Sequence, residues 1–125
     1  GFRQTELPHI MENLLYNELR EAGFTVDVGQ IYSEHKNEDG KRQRSTLEVD
    51  FVCNLGHSRV YIQSAYHLAN SRKLEQELRP LLSIKDAFAK VVITMDRIPR
   101  HYDENGVPML NLYDFLLDES ALPLE

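Results

Sequence analysis

The run KVVITMD, Lys90 to Asp96, has an unbroken apolar centre closed off by charge at both ends. Successive residues of a strand point to opposite faces, so an unbroken apolar strand needs cover on both sides. Such strands sit inside sheets that carry helices above and below, the setting that parallel pairing uses. Val91 and Ile93 are expected to be buried on one face and Val92 on the other. A chain of 125 residues, 42% of them apolar, has enough material for such a core and is read as one domain over 1–125.

The stretch TLEVDFVCNLGHSRVYIQSAY, Thr46 to Tyr66, alternates with a period of two on either side of a turn at Asn54 to Ser58. Leu47, Val49, Phe51 and Cys53 fall on one face of the first strand, with Glu48 and Asp50 on the other. Tyr61, Gln63 and Ala65 share a face of the second strand, opposite Val60, Ile62 and Ser64. An acid and an amide, Asp50 and Gln63, thereby reach matching positions on neighbouring strands.

Ahead of this hairpin, Ile10 to Ala22 carries Met11, Leu14, Leu15, Leu19 and Ala22 at helical spacing. Pro8 suits the first turn and Gly23 the C-terminal stop. Glu12 lies at the edge of the apolar stripe and Glu18 within it. Phe24 to Ser33 alternates as a strand, and EHKNEDGKRQRS reads as a polar connection with a turn at Asp39-Gly40. Asn70 or Ser71 caps a second helix with the stripe Leu74, Leu78, Leu81 and Leu82, and Pro80 is placed to kink or divide it. RIPRHYDENG reads as a polar loop, VPMLNL as a short final strand and YDFLLD as a terminal helical turn. The order α-β-β-β-α-β, extended by that strand and turn, predicts an α/β fold with a mixed β-sheet flanked by helices.

Several functions lack their sequence marks. There is no Walker A loop, no glycine-rich dinucleotide turn and no nucleophile elbow. No apolar run approaches the roughly 18 residues of a membrane span. One cysteine, Cys53, excludes an internal disulfide and a multi-cysteine zinc site, and it reads as a small buried hydrophobe in a reducing cytoplasm. The net charge of −6 disfavours a protein that lives on the phosphate backbone, although GKRQR and RIPRH are locally basic. His9 and Glu12 are spaced to share an ion on one helix face, with no matching second pair. The opening GFRQTELPH has no initiator Met and reads as the middle of a longer polypeptide.

Glu12, Asp50 and Gln63 remain as the chemical candidates. A helix carboxylate and two oxygen donors on a hairpin can form an oxygen cage for Mg²⁺, which activates water and neutralises phosphate charge. Element order and spacing resemble the PD-(D/E)XK nuclease superfamily, the restriction-endonuclease-like fold. In that pattern a helix bears a Glu, one strand ends at the Asp, and the next carries Glu-x-Lys. Glu12 matches the helix Glu, Asp50 of EVDFV the Asp, Gln63 the acidic position and Ala65 the lysine position. A resemblance over nearly the whole chain rests on FRQTELPHIMENLLYNELREAGFTVDVGQ, EVDFV, YIQSAY, KVVITMD and LNLYDFLLD. These look like the C-terminal domain of a prokaryotic family of AAA-type ATPases, a domain of uncharacterised function preceded by a P-loop ATPase and a winged-helix-like segment.

The resemblance implies a restriction-endonuclease-like domain excised from the C-terminal part of a longer ATPase. ATP would then be bound in the absent ATPase portion, which would be its partner within the same polypeptide. Where Glu-x-Lys would stand, this chain has QSA. Gln63 is a poor Mg²⁺ ligand and Ala65 cannot stabilise an anion, so both positions read as vestigial. Lys73, on the following helix, is the substitute cation candidate, and Glu12 and Asp50 are the residues left to hold an ion. The leading expectation is a catalytically degenerate accessory domain for recognition or regulation, with DNA or a protein as partner. The alternatives are a Mg²⁺-dependent DNA nuclease using Glu12 and Asp50, and a structural domain joining ATPase subunits.

Overall fold

The computed structural model describes residues 6–118, 120, 122 and 123. Helix α1 (Glu6–Glu21) buries Met11, Leu15 and Leu19, one residue per turn, and leaves Leu14 at the exposed margin of the expected stripe. Gly23, at φ 99°, ends it. The Gly23 amide donates to Arg20 O at 3.0 Å and the Phe24 amide to Leu19 O at 3.1 Å, which is the Schellman pattern. Phe24 and Leu19 also meet in the core, so the stop fixes the entry of the chain into the sheet.

Six strands follow: β1 (Thr25–Lys36), β2 (Arg42–Leu55), β3 (Ser58–Ala65), β4 (Ala89–Thr94), β5 (His101–Tyr102) and β6 (Pro108–Asn111). They form one sheet in the order β1-β2-β3-β4-β6-β5. The β1–β2, β2–β3 and β5–β6 pairs are antiparallel, and β3–β4 and β4–β6 are parallel. Helix α2 (Ser71–Leu82) makes the crossover from β3 to β4, and α3 (Leu112–Leu117) follows β6. The architecture is α/β with a mixed sheet flanked by helices, consistent with the restriction-endonuclease-like arrangement.

The inner strand behaves as its composition requires. Val91 and Ile93 pack with α1 and α3 residues on one face, Val92 packs with Leu78 and Leu81 of α2 on the other, and all three β4 side chains are fully buried. Asn70 caps α2, its Oδ1 accepting the Lys73 amide at 2.9 Å. The helix runs through Pro80 without dividing and leaves Leu82 half exposed at its end.

Four sequence expectations are corrected. The polar stretch after Ser33 is strand for most of its length, because β1 continues to Lys36 and β2 begins at Arg42. Polar residues on both faces of this projecting ribbon hide the strand period. Its turn is closed by Asn37, whose Oδ1 accepts the amides of Asp39 at 3.0 Å and Lys41 at 2.9 Å. The loop Arg97–Gly106 contains β5, and the β2–β3 turn narrows to Gly56 and His57.

The fourth correction concerns alternation in β2. Asp27 pairs with Val52 but Gly29 pairs with Val49, so Asp50 and Phe51 together oppose Val28. This β-bulge breaks the two-residue period: Val49 and Val52 pack on the α2 face, while Phe51 and Cys53 pack on the α1 face. The bulge presses Val52 toward β1, where a Cβ on residue 29 would stand 2.6 Å from Val52 Cγ2. Gly29 is therefore required by space rather than by backbone angle. Replacing Gly29→Ala is expected to cost about 1–3 kcal/mol through overpacking, measurable by denaturant unfolding. An unchanged midpoint would mean that Val52 can move aside and the bulge is not held by this contact.

Candidate functional site at the fork of the sheet

Pairing between β2 and β3 ends at Phe51↔Ile62, while β3 continues along β4 as far as Ala65. The two strands part at Asp50 and Gln63, and side chains take over the bonds that the ladder gives up. The Asp50 amide donates to Gln63 Oε1 at 2.8 Å, and the Ser64 amide donates to Asp50 Oδ2 at 2.8 Å. Gln63 Nε2 completes the arrangement by donating to Glu77 O of α2 at 3.1 Å. The acid and the amide thus close the fork reciprocally, each accepting a main-chain N–H from the other strand.

The fork opens into a cavity of about 620 Å³ between α1 and α2. Glu12, Leu7 and Pro8 reach it from α1, Asp50 and Ser64 from the sheet, Tyr66 from just past β3, and Lys73 and Glu77 from α2. His67 forms part of the rim. Its Nδ1 lies 2.7 Å from Asp96 Oδ1, and the other Asp96 oxygen accepts the Leu68 amide at 2.8 Å. Burial would raise the Asp96 pKa, but these two bonds outweigh it and hold the carboxyl below its usual range.

Of the residues singled out in the sequence, Glu12, Asp50 and Lys73 come together on this cavity. Gln63 and Ala65 do not. They lie with Tyr61 on the α2 face, Gln63 3% and Ala65 2% exposed, and neither lines the cavity. Residues that sequence reasoning passed over, Glu77 and His67, stand in the wall instead. The Lys73-x-x-x-Glu77 spacing on one helix was the available signal, and Lys73 Nζ sits 3.1 Å from Glu77 Oε1. His9 lies 3.8 Å from Glu12 on the solvent side.

The field in the cavity is negative. Burial raises the Asp50 pKa from 3.8 to about 6 against the lowering effect of the Ser64 amide, and the charges of Glu12, Glu77 and Glu48 add to the rise. Lys73 is engaged with Glu77. Both ends of the Gln63 amide are committed, and among the described residues no three His, Cys, Asp or Glu side chains converge to hold an ion.

No family model matches the sequence. The chain is 27% identical over 110 residues to an "Uncharacterized protein" of Haemophilus influenzae (strain ATCC 51907 / DSM 11121 / KW20 / Rd), an alignment covering 86% of this chain and 22% of that protein. The chain therefore corresponds to a minor part of the length of the relative it matches. No described helix is long and apolar enough to cross a membrane.

The raised Asp50 pKa has a consequence for stability. The folded chain holds this proton more tightly than the unfolded chain, so folding takes up a proton between pH 3.8 and about 6. The contribution is most favourable below the unfolded value and is lost as pH rises through the folded one. Asp50→Asn keeps an acceptor for the Ser64 amide without the charge. Its thermal midpoint is expected to vary less than that of the parent between about pH 4 and 7, and to lie above the parent at neutral pH. A variant that melts lower than the parent at neutral pH would show that the charge is compensated.

Proposed function

We propose that this chain is a restriction-endonuclease-like accessory domain, catalytically degenerate, that serves recognition or regulation for an ATPase portion of the same polypeptide in the cytoplasm. The observation that carries the reading is the use made of the Glu-x-Lys positions. Gln63 spends both ends of its amide on Asp50 N–H and Glu77 O, and Ala65 is buried against α2. Neither can touch a metal or a phosphate. Hydrolysis of a phosphodiester at such a site depends on stabilising the negative charge that develops in the transition state. Three carboxylates facing one engaged lysine oppose that charge. The small share of the Haemophilus relative that the chain covers supports a place within a longer protein.

A second reading, a Mg²⁺-dependent DNA nuclease using Glu12 and Asp50, draws on one observation. Lys73 lines the same cavity as both acids. Release from Glu77 would leave its ammonium free to face a phosphate.

Two experiments separate these. The purified chain, incubated with single-stranded, duplex and branched DNA in Mg²⁺ and in Mn²⁺, is expected to leave all three intact. Cleavage that disappears in Asp50→Ala would overturn the degenerate reading and make Lys73 the next residue to replace. Rebuilding the motif with Gln63→Glu and Ala65→Lys is expected to destabilise the fold rather than create activity. A carboxylate at position 63 would face Glu77 O and lose a bond worth about 0.5–1.5 kcal/mol, with a further penalty for the unpaired acceptor. A lysine at position 65 would have to enter a filled core.

A further inference from the structure

We propose that the outer edge of β1 is a self-association surface, on which a second copy of this chain adds its own β1 antiparallel to make a continuous sheet across a two-fold axis at Gln30. Free strand edges invite pairing, and folded proteins blunt them with charge, proline, bulges or short length. The described sheet ends in β5 on one side and β1 on the other, and β2 has a free stretch beyond the fork. β5 is two residues long. The stretch of β2 beyond the fork carries Arg42, Arg44 and Glu48. β1 is 12 residues long and has no proline, and the extra residue of the bulge lies in its partner strand rather than in β1. Its centre, Val28-Gly29-Gln30-Ile31-Tyr32, has no charge at all.

The side chains on this stretch are self-complementary. Val28 and Tyr32 share a face, are 62% and 64% exposed, and lie symmetrically about Gln30, whose Oε1 accepts the Tyr32 hydroxyl at 3.2 Å. In an antiparallel pair, opposed residues point to the same face. A two-fold axis at Gln30 therefore sets Val28 against Tyr32 of the second copy, twice. A β-branched residue opposite an aromatic one is a favourable cross-strand pair. The same register sets Glu34 opposite Val26 and Asp27 diagonal to His35, so no like charges meet. The occupant argued for is thus this chain itself, because the edge matches its own reverse.

The test is sedimentation or light scattering on the 125-residue chain over a concentration series. The expected result is a species of twice 14.5 kDa. The double variant Val28→Lys, Tyr32→Lys is expected to return the mass to 14.5 kDa with an unchanged circular dichroism spectrum, since both side chains are exposed. Tyr102→Lys, on the opposite edge, should leave the dimer intact. Register is read separately. Gln30→Cys places two thiols across the axis and should cross-link under mild oxidation, whereas Tyr32→Cys should not, its partner lying roughly 13 Å away along the strand at ~3.4 Å per residue. A chain that stays monomeric throughout, or a dimer that survives the double lysine variant, overturns the proposal. The first outcome would leave the edge to another part of a longer polypeptide.

Discussion

Between Asp27 and Gly29, β2 holds one residue more than β1 can match, and much of the molecule follows from that mismatch. An extra residue in an antiparallel pair bends its strand and turns the following side chains over. Here it directs Phe51 and Cys53 into the layer under α1 while Val49 and Val52 go to α2. It also sits where β3 leaves β2 for β4. A sheet that forks beside a bulge exposes main-chain N–H groups with no ladder partner, and each must be met from elsewhere. Asp50 and Gln63 meet them, which is why an acid and an amide stand at matching positions on two otherwise apolar strands.

The two residues differ in what this service costs. Gln63 is neutral, buried and bonded at both ends, so its contribution is structural. Asp50 performs a comparable task while carrying a charge that burial and three neighbouring glutamates disfavour. An amide would accept the Ser64 N–H without that electrostatic penalty. Groups held in an unfavourable ionisation environment inside a cleft concentrate at functional sites. The contrast divides the fork into a part that holds the fold and a part that faces the open cavity.

The inner strand, both principal helices and the hairpin were legible because burial imposes a period. KVVIT is apolar on successive residues, and Met11, Leu15 and Leu19 recur with each helical turn. The far half of the β1–β2 ribbon was not legible, since a ribbon wet on both faces shows no alternation. The bulge was hidden for a related reason: Val49, Phe51 and Cys53 are all apolar, and nothing in their identities tells which face each one takes. At the site, Glu12 and Asp50 could be found from their places on helix and strand, and Lys73 came in only as a substitute for the lysine that the nuclease-like resemblance implies. The withdrawal of Gln63 to the α2 face could not, because it depends on a carbonyl of α2 being within its reach. Glu77 needed the packing of α2 against the sheet to become a wall of the cavity.

Cys53 offers a use for the chain's lone thiol. It is wholly buried on β2, next to the bulge, and burial followed by the charge of Asp27 pushes its pKa up to about 12. Thiolate, the form that reacts with alkylating reagents, is nearly absent in the closed molecule at neutral pH. Labelling therefore has to wait for the sheet to part. The rate at which iodoacetamide consumes this single sulfur becomes a clock for the opening of β2 from its neighbours, read without an engineered cysteine.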